Sequence, residues 1–107
     1  MEIKRTLEEK IKSRIDFKKA VIVLGPRQVG KTTLIKKIVR DRGLTSVYVN
    51  GDDPEMRSVW RDATQSRIKL LLGSARVILF DEAQKIENIG NTIKMIVDGD
   101  TGVQVIV

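Results

Sequence analysis

Residues 25–32 read Gly25-Pro26-Arg27-Gln28-Val29-Gly30-Lys31-Thr32, and they follow directly on an apolar run, Ala20-Val21-Ile22-Val23-Leu24. A short β-branched run of this kind reads as a strand covered on both faces. The residues behind it, Lys31 to Arg42, place Leu34, Ile35, Ile38 and Val39 on one helical face, with Gly43 as the stop. A glycine-rich turn between a strand and a helix, ending in lysine and threonine, fits the phosphate-binding pattern G-x-x-x-x-G-K-[ST]. Wrapping a phosphate requires several backbone N–H groups to point inward, which glycine angles permit. The helix that follows offers unpaired N–H groups and the positive end of its dipole to the same anion. Lys31 then reaches the β- and γ-phosphates, and the Thr32 hydroxyl is placed for magnesium. The plain alternative is a glycine turn that happens to neighbour a lysine. With glycine near 7% of average usage, the four fixed positions arise by chance in about one chain in a hundred of this size.

Working outward, residues 2–17 set Ile3, Leu7, Ile11 and Ile15 at four-residue steps, an amphipathic helix. Val47–Asn50 is a second strand. Asp53-Pro54 signals a helix start, and Met56, Val59, Trp60 and Ala63 share a face of a helical stretch expected to run to Leu72. Trp60 is expected to be a core anchor. Arg76–Phe80 is a third buried strand, Ile89, Ile93, Ile96 and Val97 form another helical stripe, and Val103–Val107 is a fourth strand. The alternation of helices and strands predicts an α/β fold, a three-layer α-β-α sandwich around a parallel sheet.

A second element of the same chemistry closes the third strand. Val77-Ile78-Leu79-Phe80-Asp81-Glu82 is an apolar run ending in two carboxylates, the Walker B pattern. At the C-terminal edge of a parallel sheet, Asp81 lies beside the phosphate loop and holds magnesium through water, while Glu82 polarises the attacking water as general base. Asn50, at the end of the second strand, is placed either to hydrogen-bond Glu82 and restrain it or simply to form a turn before Gly51.

Composition narrows the chemistry further. The 107 residues suit one domain with a single modest core. With neither cysteine nor histidine, disulfides, thiolate zinc sites and serine–histidine or cysteine–histidine hydrolases are excluded, and any metal is a hard cation on oxygen ligands. No signal-type or membrane-spanning run is visible, so a cytoplasmic location and no membrane partner are expected. The net charge of +6 is uneven: residues 1–19 carry seven basic and four acidic groups, 20–42 six and one, and 43–107 seven and nine. A basic zone around the loop suits a polyanion, nucleotide or nucleic acid, or is a set of solvated helix faces.

GPRQVGKTTL, YVNGDDPE and ILFDEAQKIEN together resemble the AAA+-type P-loop ATPases of prokaryotes, whose members show GPRxxGKTTL, a strand running into a D-x-D-P-like turn, and L-D-E-I-Q-K. The likeness covers most of the chain, with Ala83 in place of the commoner isoleucine. It implies nucleotide contact by Gly25, Pro26, Arg27, Gln28, Val29, Gly30, Lys31, Thr32 and Thr33, magnesium near Thr32 and Asp81, catalysis by Lys31 and Glu82, and ATP and Mg2+ as cofactors. It also implies features that would lie beyond Val107: a polar sensor, a fifth strand beside the first, an arginine finger, a helical lid and a C-terminal domain of poorly defined function. The expectation is therefore one partial P-loop ATPase domain over residues 1–107, with four of five core strands and residues 1–19 as a preceding helix. Such a piece is expected to bind Mg-ATP and to hydrolyse it weakly without the remainder or self-association. Three alternatives stay open: an ATP-dependent protein acting on nucleic acid, for which no specific motif is visible; a small-molecule kinase; and a regulatory module that binds nucleotide without turnover.

Overall fold

The computed structural model describes residues 3–16, 18–24, 30–99 and 101–107, with side chains from residue 8 onward. The elements run α1 (Ile3–Arg14), β1 (Val21–Ile22), α2 (Lys31–Asp41), β2 (Ser46–Asn50), α3 (Pro54–Trp60), α4 (Gln65–Leu72), β3 (Val77–Asp81), α5 (Ile89–Asp98) and β4 (Gln104–Ile106), with a 3-10 turn at Ala83–Lys85. Among the described residues the four strands form one parallel sheet in the order β1-β4-β3-β2. This is the α/β sandwich that the alternating pattern predicts.

The sheet is central because its middle strand is apolar on both faces. Every residue of β3 is buried, and strand periodicity sends its side chains alternately to two cores. Ile78 and Phe80 join Val49, Val105, Trp60, Ile68, Leu72 and Ile96 beneath α3, α4 and α5. Val77 and Leu79 join Ile22, Leu24, Ile106, Ile11, Leu34 and Ile38 beneath α1 and α2. The same alternation puts Asp81 on the α2 face. Trp60 is the anchor expected of it, 4% exposed and edge-on to Phe80 with ring centroids 5.7 Å apart. A contact of that geometry contributes about 0.5–1.5 kcal/mol beyond area burial.

Three local expectations change. The helix expected from Pro54 to Leu72 is two helices. Arg61 turns extended, Asp62 takes a left-handed backbone (φ 52°), and Thr64 caps a new start, its hydroxyl accepting from Arg67 N at 3.3 Å. Asn88 Nδ2 donates to Asp62 Oδ1 at 2.6 Å and fastens the corner. Trp60 and Ala63 before the new helix start and Ile68 after it all lie in the same core. Removing the cap in Thr64→Ala is expected to cost about 0.5–2 kcal/mol, read as a lower denaturant midpoint with an unchanged slope.

In α5 Val97, expected on the inward stripe, is exposed, whereas Thr92 is fully buried with its hydroxyl donating to the Trp60 carbonyl at 3.3 Å. The first strand is shorter than the apolar run: Val21 packs against the core beneath α3, α4 and α5 and Ile22 joins the core beneath α1 and α2, but the cover does not extend to Val23. Among the described residues it pairs with β4 alone (Val21 with Val105, Ile22 with Ile106), and Val23 is 72% exposed. Ladder bonds still run on, from Val105 N to the Ala20 carbonyl at 2.8 Å and from Leu24 N to the Val107 carbonyl at 2.9 Å. These hold Leu24 level with the end of the sheet.

Candidate functional site

Gly30 precedes α2 with φ +80°, a left-handed angle that reverses the chain into the helix at no Cβ cost. No side chain caps this helix start, so the first N–H groups of α2 keep their capacity for an anion. Of the expected loop residues, Gly25, Pro26, Arg27, Gln28 and Val29 lie outside the described residues. Gly30, Lys31, Thr32 and Thr33 are described: Lys31 is buried, Thr32 half-buried, and Gly30 and Thr33 exposed.

Lys31, Thr32, Asp81 and Glu82 converge on one cleft of about 420 Å³ at the C-terminal ends of β1 and β3, with Leu24 and Val107 also in its wall. Thr32 Oγ1 donates to Asp81 Oδ2 at 3.2 Å, joining the start of α2 to the end of β3 across 49 residues of sequence. Lys31 Nζ donates to the Leu24 carbonyl at 3.0 Å. Burial lowers the Lys31 pKa, the Arg14 charge lowers it further, and the Asp81 carboxylate works in the opposite direction. Arg14 Nη1 donates to the same Leu24 carbonyl at 3.3 Å. Two cations thus share one acceptor beside the cleft, an arrangement that favours an incoming anion.

Glu82 closes the cleft with a left-handed backbone (φ 53°), uncommon for a residue with a Cβ. Its Oε2 accepts from Gln84 Nε2 at 2.8 Å and lies 3.7 Å from Lys85 Nζ. Lys85 also forms an ion pair with Asp52 in the turn after β2, and these acidic partners raise its pKa. Asn50 does not hold Glu82. Its Oδ1 accepts from Asp52 N at 3.0 Å, so the turn-forming reading of Asn50 is the one that the geometry supports. The restraint on Glu82 comes instead from Gln84 and Lys85, within the DEAQK stretch itself.

Backbone contact fixes the same corner. Gly51 N donates to the Asp81 carbonyl at 2.8 Å, and a Cβ on Gly51 would stand 1.9 Å from the Glu82 carbonyl oxygen. Only glycine lets the two chains approach this closely. Gly51→Ala must push the turn away from Glu82, with an expected loss of about 1–3 kcal/mol. Denaturant unfolding checks this, and the variant should also lose nucleotide affinity because the Asp81–Glu82 corner moves.

Sequence reasoning missed Arg14, Tyr48, Asp52, Gln84 and Lys85. Gln84 and Lys85 adjoin the carboxylate pair, so proximity could have found them. Tyr48 could have been found by counting back two residues from Asn50, which pairs with Asp81. Nothing in the helical pattern separates Arg14 from the solvated lysines around it.

A parallel sheet in which a glycine-led helix start bonds through Thr32 to Asp81 at the end of β3 is the frame of a P-loop nucleoside-triphosphatase fold. A family model described as an AAA domain matches residues 17–107, and the chain belongs to that family, among the AAA+-type P-loop ATPases. Among curated relatives it is similar to the replication factor C large subunit of Methanosarcina acetivorans, 33% identical over 84 residues, covering 77% of this chain and 14% of that protein. It is also similar to Protein SAV of Sulfolobus acidocaldarius, 32% identical over 80 residues, covering 70% of this chain and 10% of that protein. The chain thus spans a small part of the length of these relatives. No solved structure matches it. No helix among the described residues is long and apolar enough to cross a membrane.

Proposed function

We propose that the cleft binds Mg-ATP and hydrolyses it, and that residues 1–107 act as a P-loop ATPase domain with residues 1–19 as a leading helix. The observation that supports this reading is the 3.2 Å contact between Thr32 Oγ1 and Asp81 Oδ2, a hydroxyl and a carboxylate of the kind that a hard cation takes as ligands. Among the described residues no group of three or more acidic, His or Cys side chains gathers. One carboxylate and one hydroxyl nonetheless suit magnesium, which keeps several waters and takes its other ligands from phosphate. When bound, magnesium neutralises charge on the β- and γ-phosphates.

The chain's own groups do the rest. Of the loop called from the sequence, the described Gly30 to Thr33 offer backbone N–H groups to the phosphates, and Lys31 exchanges the Leu24 carbonyl for phosphate oxygen. Asp81 and Thr32 orient the cation's water shell. Glu82 takes the proton from the attacking water as its oxygen bonds to the γ-phosphorus and the bond to the β-phosphate oxygen breaks, releasing ADP and phosphate. Gln84 and Lys85 engage Glu82 Oε2 and so restrain the orientation of the base. Phosphate release from ATP by the full-length protein tests the reading. Magnesium-dependent release supports hydrolysis, whereas tight ATP binding without release under any partner or assembly state assigns the cleft to a regulatory module.

A second reading, action on nucleic acid, draws on the basic side chains that α1 and α2 expose (Lys10, Lys12, Lys36, Lys37 and Arg40) and on the likeness to a replication factor. Affinity for DNA that falls steeply with salt supports it.

A further inference from the structure

Tyr48 stands in the middle of β2, paired in register with Leu79 of β3, and its side chain lies against the core beneath α1 and α2. Paired residues of adjacent parallel strands face the same way, so the tyrosine shares a face with Asp81, two residues beyond Leu79. Its hydroxyl donates to Asp81 Oδ2 at 2.9 Å, the same oxygen that accepts from Thr32 Oγ1. Above the ring sits Lys36 Nζ, 4.0 Å from the centroid. A cation over an aromatic face draws electron density from the ring, which makes the phenol a stronger donor. Lys36 belongs to α2, the helix that begins at Lys31 and Thr32. One helix therefore supplies the loop end and, one turn later, the group that polarises Tyr48. Neither the phosphate-loop pattern nor the DEAQK stretch contains this tyrosine.

We propose that Tyr48, backed by Lys36, is a positioning residue for Asp81: its hydroxyl fixes the carboxylate so that the other oxygen and the Thr32 hydroxyl face the magnesium of Mg-ATP. The inference rests on the Mg-ATP reading of the cleft. An outer partner of a metal-site carboxylate typically changes metal affinity about 10- to 100-fold when it is lost. A cation–π contact at an exposed site is a smaller effect, worth roughly 2- to 5-fold.

The test is calorimetric titration of ATP into the full chain over a magnesium series, with EDTA as the metal-free reference. Tyr48→Phe, which keeps the ring and removes the donor, is expected to raise the half-saturating magnesium concentration about 10-fold or more. Its ATP affinity in EDTA should match the parent, with the variant folded at the temperature of the titration. Lys36→Met should shift the magnesium midpoint in the same direction, about 2- to 5-fold, and it gives an independent readout if the phenylalanine variant folds poorly. In an Asp81→Asn background, Tyr48→Phe should add no further shift, because the partner it positions is gone. Midpoints that stay at the parental value in both variants, or an equal shift with and without the Asp81 carboxylate, overturn the inference while leaving the site reading intact. A parent chain that binds no ATP overturns both.

Discussion

Lys31→Ala is expected to weaken ATP binding by roughly 30-fold to several thousand-fold, the 2–5 kcal/mol that follows loss of one partner from a buried, hydrogen-bonded charge pair. The side chain is 8% exposed and already directed at the strand end, where its ammonium group donates to the Leu24 carbonyl. On the proposed reading, arriving phosphate would replace a neutral acceptor with a charged one in a partly dehydrated cleft, so most of the cation's interaction would be gained on binding. Folding does not depend on it in the same way. Burial and Arg14 both work against the charged form of Lys31, and Arg14 still reaches the Leu24 carbonyl when Lys31 is truncated. The unfolding midpoint of Lys31→Ala should therefore stay within about 1 kcal/mol of the parent. Calorimetric ATP titration beside denaturant unfolding separates the two quantities.

Glu82→Gln is expected to leave ATP affinity near the parental value and to lower turnover about 10²- to 10⁴-fold, the usual contribution of a general base. The amide preserves the size of the side chain and one acceptor oxygen for Gln84 Nε2, which donates to the glutamate at 2.8 Å. Lys85 keeps its ion pair with Asp52. Only the capacity to take a proton disappears. Phosphate release by the full-length variant, measured with ATP affinity, checks the split; equal losses in binding and turnover would indicate that Glu82 shapes the corner instead of moving a proton.

The sheet was legible in the sequence because its strands are short apolar runs bounded by turn residues, and β3 is buried along its whole length. The junction at Lys31 was legible because the spacing of two glycines, a lysine and a threonine couples a turn to a helix start, and the structure brings Thr32 to Asp81 across 49 residues. Other features depend on relations that a linear pattern does not carry. The α3–α4 corner is made by left-handed Asp62 and the Thr64 cap, whereas the helical period of Met56, Val59, Trp60 and Ala63 runs through it without a break. Tyr48 reads as a β-prone residue until the parallel register of β2 and β3 aligns it with Leu79. Asn50 had two local roles available, and the bond that its Oδ1 accepts from Asp52 N, not its residue type, separates them. Lys85 reaches Asp52 only because Gly51 lets the β2 turn lie against the Glu82 carbonyl.

Titrating ATP with magnesium into the folded chain by calorimetry is the most direct test of the central claim, that the α2 helix start and the end of β3 together grip a nucleoside triphosphate. A saturable one-to-one heat, abolished or strongly weakened by Lys31→Ala at unchanged stability, is the expected result. No heat from ATP or GTP at any magnesium concentration, with the protein demonstrably folded, would contradict it.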